Sequence, residues 1–173
     1  MAQIELLAKI ILVWEGHFVN DPTDRGGATN CGVTLSTWRS QGYDKNGDGI
    51  IDVKDLMMLT KQDVINILEI YWNKWQGDKI QNQSVANILV DWVWGSGIWG
   101  IKIPQRVLNV TADGIVGKQT IAVLNDVNQE KFFNQIKIER MKFLNNIVLK
   151  NPSQERFIKG WTNRLDSFKF KEI

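Results

Sequence analysis

The sequence predicts a mostly α-helical fold. Three observations carry this expectation. Apolar residues recur at helical spacing, residues that cap helices precede several of those stretches, and no alternating strand of useful length occurs in the 173 residues. The length suits one ordinary domain, or one domain with a small C-terminal lobe. With 43% apolar residues, it can bury a core without disulfide or metal staples.

The elements follow in order. Ile4, Leu7, Ile11 and Trp14 share one helical face, which predicts a helix to about Glu15. Residues 16–34 hold Gly16, Asn20, Asp21, Pro22, Gly26, Gly27 and Gly32, so they read as turns. A short helix is expected within Val33 to Gln41. Thr60 followed by Asp63 forms a capping-box pattern before a helix carrying Val64, Leu68, Tyr71, Trp72 and Trp75. Ser84 is the expected cap of the next helix, which Gly95-Ser96-Gly97 interrupts. Residues 99–109 read as helix, 110–117 as a turn-rich connector and Lys118 to Asn125 as a short helix. A long helix from about Asn128 to Lys150 breaks at Asn151-Pro152, and Ser153 is the expected cap of a last one.

Composition removes several classes. A net charge of +2 argues against a dedicated nucleic-acid binder, and 23% charged residues argue against disorder. No run reaches the roughly 18 apolar residues of a membrane span. The N-terminal helix carries Glu5 and Lys9 and lacks the features of a signal peptide. The expectation is therefore a monomer made in the cytoplasm. If it acts outside the cytoplasm, it gets there by an export or lysis route that the sequence does not name. Cys31 reads as a small semi-buried filler, since the only histidine available to activate a thiol is His17. Charge is uneven: residues 130–173 hold ten Lys/Arg against five Asp/Glu, and residues 41–70 hold three against six. Eight tryptophans suggest stacking on flat ligands, but helical spacing makes core packing the default for Trp72, Trp75, Trp92 and Trp94.

Residues 44–55 fit a twelve-residue EF-hand loop. Oxygen donors fall at Asp44, Asn46, Asp48, the Ile50 carbonyl, Asp52 and Asp55, and Gly49 stands at the sharp turn. Ca²⁺ takes six to eight hard oxygens, and this spacing wraps them around one point. Position twelve is Asp rather than Glu, which shifts the balance toward Mg²⁺ or water-completed coordination. A single loop points to a structural ion, not a sensor; the alternative is an Asp/Asn/Gly-rich surface turn that holds no metal.

Glu15 ends an apolar helix beside Trp14. A partly desolvated carboxyl there would stay protonated near neutrality, as a general acid must. Asp24 follows in a loop, and two carboxyls facing one bond are the minimum for glycoside hydrolysis. The alternative from spacing alone is a salt-bridged Glu with Asp21 and Asp24 as turn formers.

The string Glu15, Gly16, Phe18, Asn20, Asp21, Pro22, Asp24, Gly26, Gly27, Thr29, Gly32, Val33, Thr34 resembles the signature of glycoside hydrolase family 108, lysozyme-like N-acetylmuramidases. The likeness continues through Tyr71-Trp72, Asp91 with Gly97, and Gly160-Trp161 to Arg164-Leu165. Residues 105–120 resemble the accompanying peptidoglycan-binding lobe, so the likeness covers nearly the whole chain. It implies a lysozyme-like helical domain over 1–98 with the calcium-like loop inserted, and a small helical peptidoglycan-binding part over 99–173, packed as one unit. It implies cleavage of the β-1,4 bond between N-acetylmuramic acid and N-acetylglucosamine in peptidoglycan glycan strands. Glu15 would be the general acid, Asp24 would position water or stabilise charge, and Thr29 is a candidate for holding the water. Asn20, Asp21, Tyr71, Asp91 and Trp94 are the implied substrate contacts. His17 replaces a family Gly, and Trp94 stands where relatives often carry Asn. The alternative is a non-catalytic peptidoglycan-binding or secretion-accessory protein on the same scaffold.

Overall fold

The structure, a computed structural model of the chain, describes residues 1–14, 18–20 and 27–172. The described residues are mostly helical, as expected, with nine α-helices, a two-stranded sheet and two 3-10 turns. Contacts divide the chain into two compact units, Glu5–Ile70 and a second made of Met1–Ile4 with Tyr71–Ile173.

The smaller unit begins with α1 (Ile4–Trp14), which buries Leu7, Ala8 and Ile11 on one face. A tight antiparallel hairpin follows, β1 (Thr29–Asn30) with β2 (Val33–Thr34). Its two turn residues, Cys31 and Gly32, have φ of 48° and 75°. Two positive φ values in a two-residue loop match the right-handed twist of the strands they join. Cys31 thus acts as a turn residue in the left-handed region, a conformation its Cβ disfavours. Val19 adds one bridge to Thr29. Two-residue strands leave no alternating pattern to read, so the sequence does not announce this sheet.

Thr34 caps α2 (Leu35–Gln41), its hydroxyl accepting from the Thr37 N–H, and Trp38 is buried. The polar loop then leads into α3 (Val53–Met57) and α4 (Lys61–Lys74), the latter shared between the units. At the start of α4 the expected capping box is present. Thr60 N–H donates to Asp63 Oδ2 at 2.7 Å, and Asp63 N–H donates to Thr60 Oγ1 at 3.3 Å.

Asp63 gathers further donors: Lys45 Nζ at 2.8 Å, the Thr60 hydroxyl at 2.6 Å and the Tyr43 hydroxyl at 3.1 Å. Burial by itself would raise its pKa, but these donors outweigh burial and bring it to about 2. A folded pKa below the unfolded one stabilises at pH above the ordinary carboxylate value and is lost as pH falls. Asp63 is therefore expected to contribute about 2 kcal/mol at neutral pH, lost between about pH 4 and pH 2. Urea unfolding of wild type and Asp63→Asn at pH 6 and at pH 2 checks this: the gap should be wide at pH 6 and largely close at pH 2.

The larger unit is built on α5 (Gln83–Ser96), with Val85, Ala86, Ile88, Leu89, Val90, Trp92 and Val93 all buried. Helices α6 (Trp99–Val107), α7 (Lys118–Asp126), α8 (Gln129–Lys150) and α9 (Glu155–Ser167) complete it. α5 and α6 lie close because Gly100 meets the backbone of Trp92 and Val93, where a Cβ would not fit. Trp75 donates its indole N–H to the Gly100 carbonyl at 3.2 Å, and Trp72 donates to Asp78 at 2.8 Å.

Two expected caps are corrected. The cap of α5 is Asn82, whose side chain accepts from Val85 N–H at 3.1 Å. Ser84 instead accepts from Lys171 N–H at 3.0 Å, tying down the C-terminal segment. Ser153 does not cap α9; its hydroxyl donates to Asn151 Oδ1 at 2.7 Å, within the 3-10 turn Pro152–Gln154.

The connector 110–117 is organised by one fully buried amide. Gln105 donates to Asp113 Oδ1 and to the Ile115 carbonyl, both at 3.0 Å, and accepts from Gly114 N–H at 2.9 Å. Removing the amide orphans these groups and leaves a cavity. Gln105→Ala is expected to cost about 2–3 kcal/mol, read as a lower thermal midpoint. Among the described residues no helix is long and apolar enough to cross a membrane.

Candidate active site and metal loop

Of the residues singled out in the sequence, Glu15, His17, Asp21 and Asp24 lie outside the described residues. Thr29 is placed at the hairpin. Its backbone pairs with Val19 at 2.8 Å in both directions, and its hydroxyl reaches the Gly27 carbonyl at 3.4 Å. Asn20, next to that bridge, is exposed. Trp14 is 36% exposed at the end of α1.

In the larger unit the structure brings Tyr71 and Trp94 together, edge to face, with ring centroids 5.1 Å apart. Both rings are half-buried. Lys74, one turn after Tyr71 on α4, sits 5.0 Å from the Tyr71 ring centroid. It also lines an adjoining cavity of about 400 Å³ together with Val93, Ile98, Ile101 and Ile115. Aromatic faces beside an apolar recess and one cation can take the apolar face of a sugar and a polar substituent. Sequence reasoning passed over Lys74. Its i, i+3 spacing from Tyr71 was the available signal.

Asp91 has a different role from the one expected. It is fully buried, so it is an internal ion-pair centre rather than a sugar contact. Arg140 Nη2 lies 2.7 Å from Oδ2 and Arg164 Nη2 lies 2.7 Å from Oδ1. Burial pushes the Asp91 pKa up; the two guanidinium charges overcome this and hold it below the ordinary value. Arg140 also lies over the Trp92 ring, 6.0 Å from its centroid. The three charges join α5, α8 and α9. The sequence signal was an acid in an otherwise apolar helix, which requires a buried cation.

The loop at 44–55 is ordered by its own side chains. Asp44 accepts from Gly47 and Gly49 N–H, each at 2.7 Å. Asn46 accepts from Asp48 N–H at 2.8 Å, and Asp48 from Ile50 N–H at 3.0 Å. Gly49 has φ of 84°, the left-handed conformation required at that position. Asp52 caps α3 and forms a capping box with Asp55. Asp55 is buried and accepts from Asp52, Lys45 and Asn46 N–H, which hold its pKa below the ordinary value. Among the described residues, no three Asp, Glu, His or Cys side chains are gathered around one point. The carboxylates are turned onto the loop's N–H groups, but an ionised carboxylate has about four acceptor positions, so these bonds leave capacity for a cation.

A helical body with a short β-hairpin, an inserted acidic loop and a C-terminal helical part is the architecture of a lysozyme-like protein. The chain belongs to the glycosyl hydrolase 108 family, whose model matches residues 8–97. Residues 99–166 match the model described as a predicted peptidoglycan domain. The structure is similar to that of SagA from Brucella abortus, with a TM-score of 0.77 and 29% identity over 95% of this chain and 90% of that one. No curated protein sequence gives a significant match.

Proposed function

We propose that this protein hydrolyses the β-1,4 bond between N-acetylmuramic acid and N-acetylglucosamine in peptidoglycan. The observation that carries this reading is the order of the two matched segments, a glycosyl hydrolase 108 segment followed by a peptidoglycan domain. Glu15 and Asp24 both fall in the first segment. In this reading Glu15 protonates the leaving oxygen, and Asp24 positions water or supports the positive charge that develops at the sugar. Thr29 is the candidate for holding that water. Tyr71 and Trp94, with Lys74, supply a wall for substrate, and Asn20 and Asp21 are further candidate contacts. The protein acts at the wall, reached by export or lysis.

The deciding experiment is mass spectrometry of fragments released from purified wall and then reduced. Reduced muramic acid ends support the reading. Wall binding without release of reducing ends would overturn it in favour of a non-catalytic binding or secretion-accessory protein.

We also propose that the 44–55 loop takes one structural Ca²⁺, with Mg²⁺ as the competitor. The donors would be Asp44, Asn46, Asp48, the Ile50 carbonyl, Asp52 and Asp55. A cation that binds only the folded chain raises stability by mass action, by about 2.7 kcal/mol at a hundredfold excess over Kd. The expected result is a thermal midpoint that rises with Ca²⁺, falls on chelation and no longer responds in Asp44→Ala. A midpoint indifferent to Ca²⁺ in the wild type would sink the proposal.

A further inference from the structure

A groove of about 640 Å³ runs between α6 and α8, both within the segment that matches the peptidoglycan domain. Ile103, Val107 and Phe143 give it apolar walls, and Arg106, Glu139 and Lys142 supply charge. The charges are not equivalent. Glu139 Oε1 already accepts from Lys142 Nζ at 2.8 Å and from Gln135 Nε2 at 3.0 Å, so that pair neutralises itself. Arg106 is exposed, and its guanidinium has no hydrogen-bond or ion-pair partner among the described residues. The groove therefore carries one uncompensated cation beside apolar surface.

That pattern selects among the parts of peptidoglycan. The glycan strand offers hydroxyl and acetamido groups but no charge, because the lactyl carboxyl of muramic acid is tied up as an amide wherever a peptide is attached. The stem peptide offers carboxylates spaced by small alkyl side chains. A planar guanidinium pairs with a carboxylate through two parallel hydrogen bonds, and methyl groups suit the apolar walls. We propose that this groove holds the anionic stem peptide of peptidoglycan, with Arg106 on a carboxylate and Phe143, Ile103 and Val107 against its alkyl groups. The inference rests on the peptidoglycan reading above and assigns to the C-terminal part a ligand distinct from the scissile glycan bond.

The test uses the full chain in the Glu15→Gln background, so that binding is read without digestion. Retention is measured on purified sacculi and on glycan strands stripped of peptide by an amidase, whose freed lactyl carboxyls are then coupled to methylamine so that the strands stay uncharged. The expected result is that Arg106→Glu and Phe143→Ala each weaken retention on sacculi by about tenfold or more. Arg106→Lys should weaken it less, and the stripped strands should hold the parent chain no better than sacculi hold Arg106→Glu. Thermal midpoints, compared with the parent, separate lost binding from lost folding for each variant. Undiminished retention of folded Arg106→Glu and Phe143→Ala would overturn the proposal, as would equal retention of the parent on stripped strands. If the wild type still releases muramic acid ends in that case, only the groove assignment falls. If the wild type neither binds wall nor releases such ends, the function itself falls with it.

Discussion

Replacing Asp91 by alanine is expected to destabilise the fold by about 3–5 kcal/mol, one of the two largest effects in this protein. Asp91 is fully buried and carries two guanidinium groups at 2.7 Å. Removing the carboxylate leaves the Arg140 guanidinium buried without its counter-charge, beside the Arg164 guanidinium. Arg140 cannot swing out to water, because its side chain is itself buried. For a chain of this length each kcal/mol moves the thermal midpoint by about 2–4 °C, so a fall of about 10 °C or more should appear by calorimetry. Asp91→Asn should recover only part of the loss, since an amide accepts from one arginine but carries no charge. The arrangement is costly to break rather than strongly favourable to have. The triple variant Asp91→Leu, Arg140→Met, Arg164→Met, which removes all three charges together, should therefore be less damaging than Asp91→Ala alone. A midpoint within about 2 °C of wild type for Asp91→Ala would show that the pairs are not buried in solution.

Glu15→Gln is expected to lower wall hydrolysis by about 10²–10⁴-fold while leaving the thermal midpoint unchanged. Glutamine keeps the shape of the side chain but cannot deliver a proton to the leaving sugar oxygen. Asp24→Asn should also reduce the rate, by removing charge opposite the developing positive centre. The two variants are separable by pH. Loss of Glu15 should abolish the fall in rate on the alkaline side, which reports an acid that must be protonated. The measurement is release of reducing ends from purified wall across pH 4–9. Full activity in Glu15→Gln would remove Glu15 from the mechanism.

Much of the fold is legible in the residues. The periodic apolar faces of α1 and α5 and the capping box at Thr60 and Asp63 appear where the spacing places them. Asn128 caps α8 through Lys131 N–H, close to the expected start. These are local matters, decided by i, i+3 and i, i+4 neighbours. Ser84 and Ser153 are not the caps, because several hydroxyl or amide groups near a helix start can compete for that place. Lys171 engages both, accepting from the Asn82 amide at 3.1 Å and donating to the Ser84 hydroxyl at 3.0 Å, so the cap falls to Asn82, the residue that directly precedes the first turn of α5. Tyr71 and Trp94 are far apart in the sequence, yet their rings meet because α4 and α5 bring them there.

The sequence by itself determined the helical class, the family signature around Glu15 and the donor order of the 44–55 loop. Each depends on residue type and spacing, which the chain displays directly. Tertiary structure decided what burial does to those residues. It turned Asp91 from a candidate sugar contact into a charge centre held by Arg140 and Arg164, because packing excludes water and leaves only charge to stabilise charge. It also left Arg106 beside an apolar groove with no partner among the described residues, since Lys142 already holds the Glu139 carboxylate that shares the groove.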